Sequence, residues 1–389
     1  MKKFIIFVFI MFLSLPVFAQ NDEKVMKSEL GRVQSVQYED VEQNYSDKSQ
    51  VKQLVTVKLL TGEFKGQEFK TTNMITNNPY YDIFLHKGDK VILHSEMEDD
   101  GETVNYDIAD IHRINFVYVL TAIFIGMLLI VGKRKGFNSL LSIVITVALI
   151  LFVMAPMVRS GFNPIISALI ISLLSTLLTM YTVGGFNHKS TSASVGVIGS
   201  LIFASFLSIM AIKFARLTGF CCEETMYLYS ADPNLDFKGI LTASVILATL
   251  GAVMDTGMSI ASSINEFYMI NPKMTTKDLF LSGMNVGKDI IGTMANTLIL
   301  VYLGSSLPLV LLSQNIDLQK FFNLNQVVTE ICSAMIGSIA LVACVPITAI
   351  VSAHLVRVNK NEIDDIMIEN DSDIEENKEE YRDITLRLY

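Results

Sequence analysis

The sequence predicts an α-helical integral membrane bundle of about seven transmembrane helices, preceded by a signal peptide and a small exported domain that resembles a β-barrel. Two observations carry this prediction. First, 51% of the 389 residues are hydrophobic and only 18% are charged, whereas about 25% are charged in an ordinary soluble domain. Second, the apolar residues are gathered into separate runs of about 20 residues, the length that crosses a bilayer.

Residues 1–19 have the parts of a secretory signal peptide. Lys2 and Lys3 form the charged region, an apolar region follows, and the small residue Ala19 closes a cleavage site. The apolar region is short for a membrane-spanning helix, so we expect cleavage after Ala19 rather than an uncleaved anchor. In either case the segment that follows is exported.

Residues 20–115 predict an extracytoplasmic β domain. Val55, Val57 and Leu59 alternate with polar residues, which is the period of a half-buried strand, and glycine-containing turns separate several such stretches. Five or so short strands fit a compact barrel, which we expect to be OB-like. The domain contains no cysteine. It is either a structural cap or a docking site for a protein partner.

Seven apolar runs follow and define a transmembrane domain over residues 116–357. If residue 116 starts outside the membrane, the inward loops contain more lysine and arginine than the outward loops. Because cytoplasmic loops are enriched in these residues, the β domain is predicted outside and the chain end inside. Residues 358–389 then form an acidic cytoplasmic tail, a charge run typical of solvated polypeptide. No region has the basic face of a nucleic-acid-binding protein, so the predicted partner is the lipid bilayer. The runs are 116–132, 137–158, 163–183, 192–213, 239–262, 289–312 and 328–355.

Polar residues recur at helical spacing within the fifth and sixth runs. Starting from Asp255, the positions i+4, i+7 and i+11, which share one face of a helix, are all polar. The next run repeats the pattern from Asp289. We call these residues the polar seam: Asp255, Ser259, Ser262 and Glu266 in one run, and Asp289, Thr293, Asn296 and Thr297 in the next.

The depth of the polar seam indicates its chemistry. If the two helices meet the interface at the ends of the apolar runs, Asp255 and Asn296 lie at a similar level, roughly 12–13 Å inside. A charged aspartate at the centre of a membrane helix costs about 2.5–3.5 kcal/mol. We therefore expect Asp255 to face protein or a water-filled cavity, with Asn296 or a nearby threonine as its partner. A hydrogen-bonded contact that only fixes helix register is the alternative.

Asp255-Thr256-Gly257 has the letters of the aspartic protease triplet. That chemistry needs two carboxylates that share a proton on a strand-and-loop scaffold, whereas this triplet lies in a predicted helix. An intramembrane protease that uses Asp255 and Asp289 is a further alternative, and the predicted shallow position of Asp289 argues against it. We expect no enzymatic activity. The sequence has no set of histidines and cysteines at ligand spacing, so no metal or cofactor is expected.

Cysteines and small residues suggest structural roles elsewhere in the chain. Cys221 and Cys222 lie in a predicted outward loop, and Cys332 lies near the outer end of the last run. In an oxidising compartment, one of the pair could form a disulfide with Cys332. A small-residue face in the fourth run favours close helix packing. The residues of that face are Ser192, Gly196 and Gly199.

Three stretches carry a resemblance to a known family: GGFNHKSTSASVGVIG, GAVMDTGMSIASSINEF and GKDIIGTMANTLILVYLGSSLPLVLL. Together they resemble the YibE/F family of multi-pass bacterial membrane proteins over roughly residues 110–357. The resemblance implies a protein of the bacterial cell membrane whose biochemical role is poorly defined. The Cys221-Cys222 loop and the acidic tail fall outside the family pattern. The recurrent positions that it implies are Lys189, Gly196, Asp255, Met258, Ser259, Glu266, Gly287, Asp289, Gly292, Thr293, Asn296, Thr297, Leu307 and Pro308.

The leading functional hypothesis is transport. The polar seam would line a hydrated path for an unidentified solute or ion, and Asp255 would be its protonatable or ion-coordinating group. The second hypothesis is a membrane-anchored binding or assembly protein, in which the exported β domain docks a partner and the polar seam only holds helices together.

Overall fold

The computed structural model describes residues 28–40, 51–76, 78, 82–97 and 104–386. The chain divides into two compact units, Lys2–Ile130 and Val131–Tyr389. The predicted signal peptide lies outside the described residues. Each unit is described by itself below.

The first unit contains a five-stranded antiparallel sheet that curls into a half-barrel. Its strands are β1 (Ser28–Asp40), β2 (Val51–Leu59), β3 (Glu68–Ile75), β4 (Lys90–Met97) and β5 (Val104–Ile111). The order across the sheet is β3-β2-β1-β4-β5, so the first strand lies in the middle. Phe69 of β3 and Tyr106 of β5 bring their rings to 4.6 Å between centroids. This ring contact links β3 and β5, the two edge strands of the sheet, across the opening of the half-barrel.

The alternation predicted for β2 is confirmed. Val55, Val57 and Leu59 are almost fully buried and form the sheet core together with residues of the neighbouring strands. Gln53 is buried on the same face, where its Oε1 accepts a hydrogen bond of 2.8 Å from Asn73 Nδ2. Strand β1 is not predicted from the sequence, because its few apolar residues give a weak pattern, whereas backbone hydrogen bonds to both β2 and β4 hold the strand in place.

The helices follow the sheet in chain order. They are α1 (Ile114–Leu149), a π-helical stretch (Ile150–Met154), α2 (Ala155–Arg159), α3 (Pro164–Val183), α4 (His188–Phe214), α5 (Glu223–Ala231), α6 (Phe237–Ile270), α7 (Thr276–Ser305), α8 (Leu307–Leu312), a 3-10 turn (Ser313–Asn315), α9 (Leu318–Phe321) and α10 (Asn325–Leu386). Within the described residues, six segments are long and apolar enough to cross a membrane. The acidic residues after Val356 continue the backbone of α10.

The structure has six apolar segments of membrane length where seven were predicted, and the difference arises where the first two predicted spans join. The predicted spans 116–132 and 137–158 belong to a single helical segment of 46 residues, Ile114–Arg159. The backbone leaves the helical conformation at Lys133, where φ is 47°. This left-handed conformation is unfavourable for a residue with a side chain. A continuous helix of this length would extend roughly 69 Å, against a hydrocarbon thickness of about 30 Å, so the break divides a segment too long for one pass.

Helix α7 differs most from its prediction. The expected run covered 289–312, but the helix begins at Thr276 and ends at Ser305. A capping box explains the early start: the Asp278 backbone N–H donates to Thr275 Oγ1 over 3.1 Å, and the Thr275 backbone N–H donates to Asp278 Oδ2 over 3.3 Å. The first turns are too polar to be found by hydropathy alone. The polar residues near 289 therefore lie well inside the helix.

Small residues allow the helices of the second unit to pack closely. In α4, Gly196 lies so near α10 that a Cβ there would collide with the Thr348 side chain and lie 3.0 Å from Thr348 Cα. Ser192 is fully buried and donates its hydroxyl hydrogen to the His188 carbonyl over 2.7 Å. At Gly199 the closest approach is looser, 3.5 Å to Ile347. This face of α4 therefore packs on α10.

Helix α6 lies at the centre of the second unit. Within the apolar stretch of each helix, 61% is buried for α6 but only 11% for α7. The buried side of α6 includes Ile246, Val253 and Ile260, each fully enclosed. Most of its remaining surface is a single exposed face, on which Asp255 lies.

Candidate functional site

The Asp-Thr-Gly triplet points in three directions from α6. Thr256 is buried and donates its hydroxyl hydrogen to the Ala252 carbonyl over 2.9 Å. Gly257 is buried against α4, where a Cβ would lie 2.9 Å from Val197 Cγ2. Asp255 is on the exposed face. Since a helical backbone separates these side chains around its axis, the triplet does not converge on one point.

The exposed face of α6 carries no large apolar side chain between positions 244 and 266. Its exposed residues are Ser244, Ala248, Gly251, Asp255, Ser259 and Glu266. Ser262 lies in phase with them and is half-buried. We call these seven residues the α6 polar face. The exposed face of α4 is different, because it carries Ile202 and Phe206, each more than half exposed. Large apolar side chains suit contact with lipid tails, whereas the α6 polar face offers them hydroxyl, carboxylate and backbone groups and a single methyl group, that of Ala248.

The polar seam residues of α7 are exposed as well. Asp289, Thr293, Asn296 and Thr297 all lie on the outer side of this helix. The Thr293 hydroxyl donates to the Ile290 carbonyl over 3.1 Å and the Thr297 hydroxyl donates to the Thr293 carbonyl over 2.9 Å, so both threonines are satisfied within their own helix. Among the described residues, no hydrogen bond or ion pair engages the carboxylate of Asp255 or Asp289.

Two contacts define the register between α6 and α7. A Cβ at Gly283 of α7 would lie 2.5 Å from Ile264 Cδ1 of α6. Farther along, Thr249 of α6 and Leu298 of α7 both lie against Gly337 of α10. The residue numbers of Ile264 and Gly283 have the same sum as those of Thr249 and Leu298. This is expected for two antiparallel helices, because one number rises as the other falls at equal rise per residue. Residues of α6 and α7 whose numbers have this sum therefore lie at the same level.

This register places Asp255 at the level of Gly292, and Asn296 at the level of Gly251. In this register Asp255 and Asn296, which were expected at a similar depth, are offset by about one turn. A Cβ at Gly251 or at Gly292 would meet no atom within 4 Å. Asp255 of α6 is therefore level with Gly292 of α7, and Asn296 of α7 is level with Gly251 of α6. Each glycine has open space beside it.

A lysine from a third helix reaches the α6 polar face. Lys189 Nζ lies 3.5 Å from Ser262 Oγ. Lys189 is in the first turn of α4, which is capped by Asn187, whose Oδ1 accepts from the Ser190 backbone N–H over 2.9 Å. The periodicity of α6 alone could not reveal this contact. The sequence signal for Lys189 was its place among the positions that the family resemblance implied.

The four cysteines are free thiols. Cys221 Sγ lies 3.7 Å from Cys222 Sγ, and neither sulfur is bonded to Cys332 in this structure. Cys344 is fully buried, with its sulfur 3.6 Å from the Val253 carbonyl oxygen. Among the described residues, no group of three or more His, Cys, Asp or Glu side chains is arranged to hold a metal ion.

A bundle of long apolar helices, one of which exposes a polar face within its span, defines an integral membrane protein with several spans. More specifically, the chain belongs to the YibE/F family. The family model described as YibE/F-like protein matches residues 120–358, and the model of the YibE/F family N-terminal domain matches residues 24–111. Comparisons with curated proteins and with solved structures give no match.

Proposed function

We propose that this protein transports a small polar solute or ion along the α6 polar face, linked to protonation or ion binding at Asp255. The observation that carries the proposal is the composition of that face. Every exposed residue between positions 244 and 266 of a membrane-length helix is small or polar. Lipid tails cannot hydrogen-bond such groups, whereas water can.

The proposed roles follow from position. Asp255 is the group that takes up and releases the proton or ion, because it is the ionisable side chain farthest from both ends of the α6 polar face. Gly251 and Gly292 provide room for water or solute beside Asn296 and Asp255. Glu266 and Lys189 lie toward the α6–α7 turn, where a solute would enter or leave. The proposal assigns no catalytic role to Asp255 or Asp289.

The orientation belongs to the same proposal. The sheet domain would lie outside the bacterial cell membrane and the α6–α7 turn and the acidic tail would lie in the cytoplasm, as the distribution of lysine and arginine favours. The break at Lys133 would be a reversal of direction, which gives seven passes. The signal peptide would be removed after Ala19, and the half-barrel would be an OB-like domain.

Thiol accessibility tests the hydrated path. In a chain whose four cysteines are replaced by serine, single cysteines are introduced by Gly251→Cys or Ser259→Cys, and membranes are treated with a water-soluble maleimide. Both cysteines are expected to react, because they would face water. The matched control is Phe206→Cys, an exposed position on the apolar face of α4 that is expected to be protected. The proposal is wrong if the cysteines at positions 251 and 259 are protected to the same degree as the cysteine at position 206, so that all three react only after denaturation.

A further inference from the structure

Two adjacent thiols lie in the loop between α4 and α5, outside the apolar helices. Cys222 is exposed and Cys221 is half-buried. The Cys221 S–H donates toward Cys222 Sγ over 3.7 Å. Thr225 Oγ1 lies 3.2 Å from Cys222 Sγ. The transport proposal gives these thiols no role, and the family resemblance does not include them.

We propose that Cys221 and Cys222 are a redox-active pair that closes to a vicinal disulfide by exchange with an external disulfide. The two sulfurs already lie side by side, and a bond requires them to approach from 3.7 Å to about 2.05 Å. No rearrangement of helices is needed, because both residues belong to one loop. This inference does not depend on the transport proposal.

The loop before the thiols is held firmly on the helices behind it. Asn325, at the start of α10, donates from Nδ2 to the Phe220 carbonyl over 2.9 Å and accepts the Thr218 backbone N–H over 3.4 Å. The Phe220 ring stacks on Phe237 at the start of α6, with centroids 4.9 Å apart. The thiol pair is therefore presented from a base anchored on two helices.

The chain conformation at Gly219 brings the loop onto α6. Its φ is +91°, in the left-handed region that glycine adopts without strain. A Cβ at this position would lie 3.0 Å from the Lys238 backbone nitrogen and closer still to the Phe237 carbonyl. Glycine thus permits the close approach that leaves Cys221 half-buried and Cys222 facing outward.

The exchange proceeds in two steps that balance. The exposed Cys222, as thiolate, attacks an external disulfide, forms a mixed disulfide and releases one thiolate. Cys221 then loses its proton, and its sulfur attacks Cys222 Sγ and expels the second thiolate. The two cysteines lose two electrons and two protons, and one external disulfide is reduced to two thiols.

The product is expected to be easily reduced again. Adjacent Cα atoms are about 3.8 Å apart across a trans peptide, which is shorter than the 4.4–6.8 Å usual between disulfide-bonded residues. Strained and exposed disulfides have more oxidising potentials than structural ones. We therefore infer a reversible pair rather than a permanent cross-link.

Mass spectrometry of the purified full-length protein tests the proposal. The protein is incubated with oxidised glutathione, denatured, alkylated and digested with trypsin, which cleaves after Arg216 and Lys238 and leaves both thiols in one peptide. We expect this peptide to be unalkylated and lighter by two hydrogen atoms, and to regain both alkylation sites after mild reduction. Cys221→Ser and Cys222→Ser should each abolish the internal disulfide. Cys332→Ser, the matched control, should leave it unchanged.

Three outcomes would overturn the proposal. First, after incubation with oxidant at concentrations that leave the fold intact, both thiols of the wild-type peptide could still react with the alkylating reagent. The disulfide could instead join Cys221 or Cys222 to Cys332, or it could join two chains, as seen on a non-reducing gel. Each of these results is distinct from failure of the transport proposal, because none depends on solute movement.

Discussion

Ile264 of α6 packs on Gly283 of α7 so closely that a Cβ at position 283 would lie 2.5 Å from the isoleucine Cδ1. The same side of α7 repeats this contact one turn later, where Gly287 lies directly against Val345 of α10. These two glycines bring α7 onto its neighbours. They also determine which residues of the polar seam lie at the same level.

Replacing either of these packing glycines is expected to destabilise the bundle. Gly283→Ala and Gly287→Ala each place a methyl group where a buried side chain already lies, and overpacking of this kind costs about 1–3 kcal/mol. Gly292→Ala, on the same helix, places its methyl group in open space and should not destabilise the protein, because alanine is about 0.5–1 kcal/mol more favourable than glycine inside a helix. Thermal unfolding in detergent measures the difference. Equal destabilisation by all three substitutions would contradict the packing described for α7.

Removing the ionisable group of Asp255 is expected to stop proton-linked transport. Asp255→Asn keeps the size of the side chain but cannot release a proton at neutral pH. We expect a loss of roughly 100-fold or more in pH-linked flux, a scale typical of losing a proton-transferring group. The readout is the internal pH of liposomes that contain the purified protein. Phe206→Leu, on the apolar exposed face of α4, should retain flux. Full flux in correctly inserted Asp255→Asn protein would remove the transport proposal.

Closure of the Cys221–Cys222 disulfide is expected to accelerate as pH rises. Burial and the contact with Cys222 raise the pKa of the Cys221 thiol. A raised pKa means that less thiolate is present at a given pH, so the second step of the exchange is slower at about pH 6 than at about pH 9. The tryptic peptide should therefore carry a mixed disulfide at low pH and an internal disulfide at high pH.

The matched control for this pH dependence is Cys221→Ser, which should remain a mixed disulfide at every pH. Equal closure of the wild-type pair across the pH range would show that deprotonation of Cys221 does not limit the step.

Asn325 is expected to control access to the thiol pair. Asn325→Ala removes both hydrogen bonds to the loop and should cost about 1–2 kcal/mol locally, at about 1 kcal/mol for each bond. Asn325→Asp keeps the acceptor but places a carboxylate oxygen against the Phe220 carbonyl, so it should also loosen the loop. The measurement is the alkylation rate of Cys221 in the folded protein. Asn323→Ala, which breaks only a bond to the Gln319 carbonyl, should leave the rate unchanged. A rate that is the same in all variants would contradict the anchoring role.

Much of the fold could be predicted because strong patterns carry it. The alternation at Val55, Val57 and Leu59 identified β2, and apolar runs of membrane length identified the spans. The weaker patterns failed for stated reasons. Strand β1 depends on its two neighbours more than on its own apolar residues, and α7 begins in polar sequence at a capping box around Thr275.

The candidate site was predictable only along single helices. The periodicity from Asp255 correctly grouped residues that share a face, but the relation between helices depends on the turn and on the packing glycines. A shift of one turn therefore separated Asn296 from the predicted level of Asp255. Gly251 was not singled out and Gly292 was named only through the family resemblance, because a glycine in a membrane helix has many uses and only the structure shows the open space beside each one.

Pro346 interrupts α10 between two side chains that fill its neighbours' glycine positions: Val345 lies against Gly287 of α7, and Thr348 lies against Gly196 of α4. Proline cannot donate to the carbonyl one turn earlier, so a helix bends most easily at such a point. Helix α10 therefore contacts α7 and α4 on either side of a proline, where its backbone lacks one hydrogen bond. A tilt of α7 therefore has a second route to α4 through α10, besides the one through α6, on which both helices also pack.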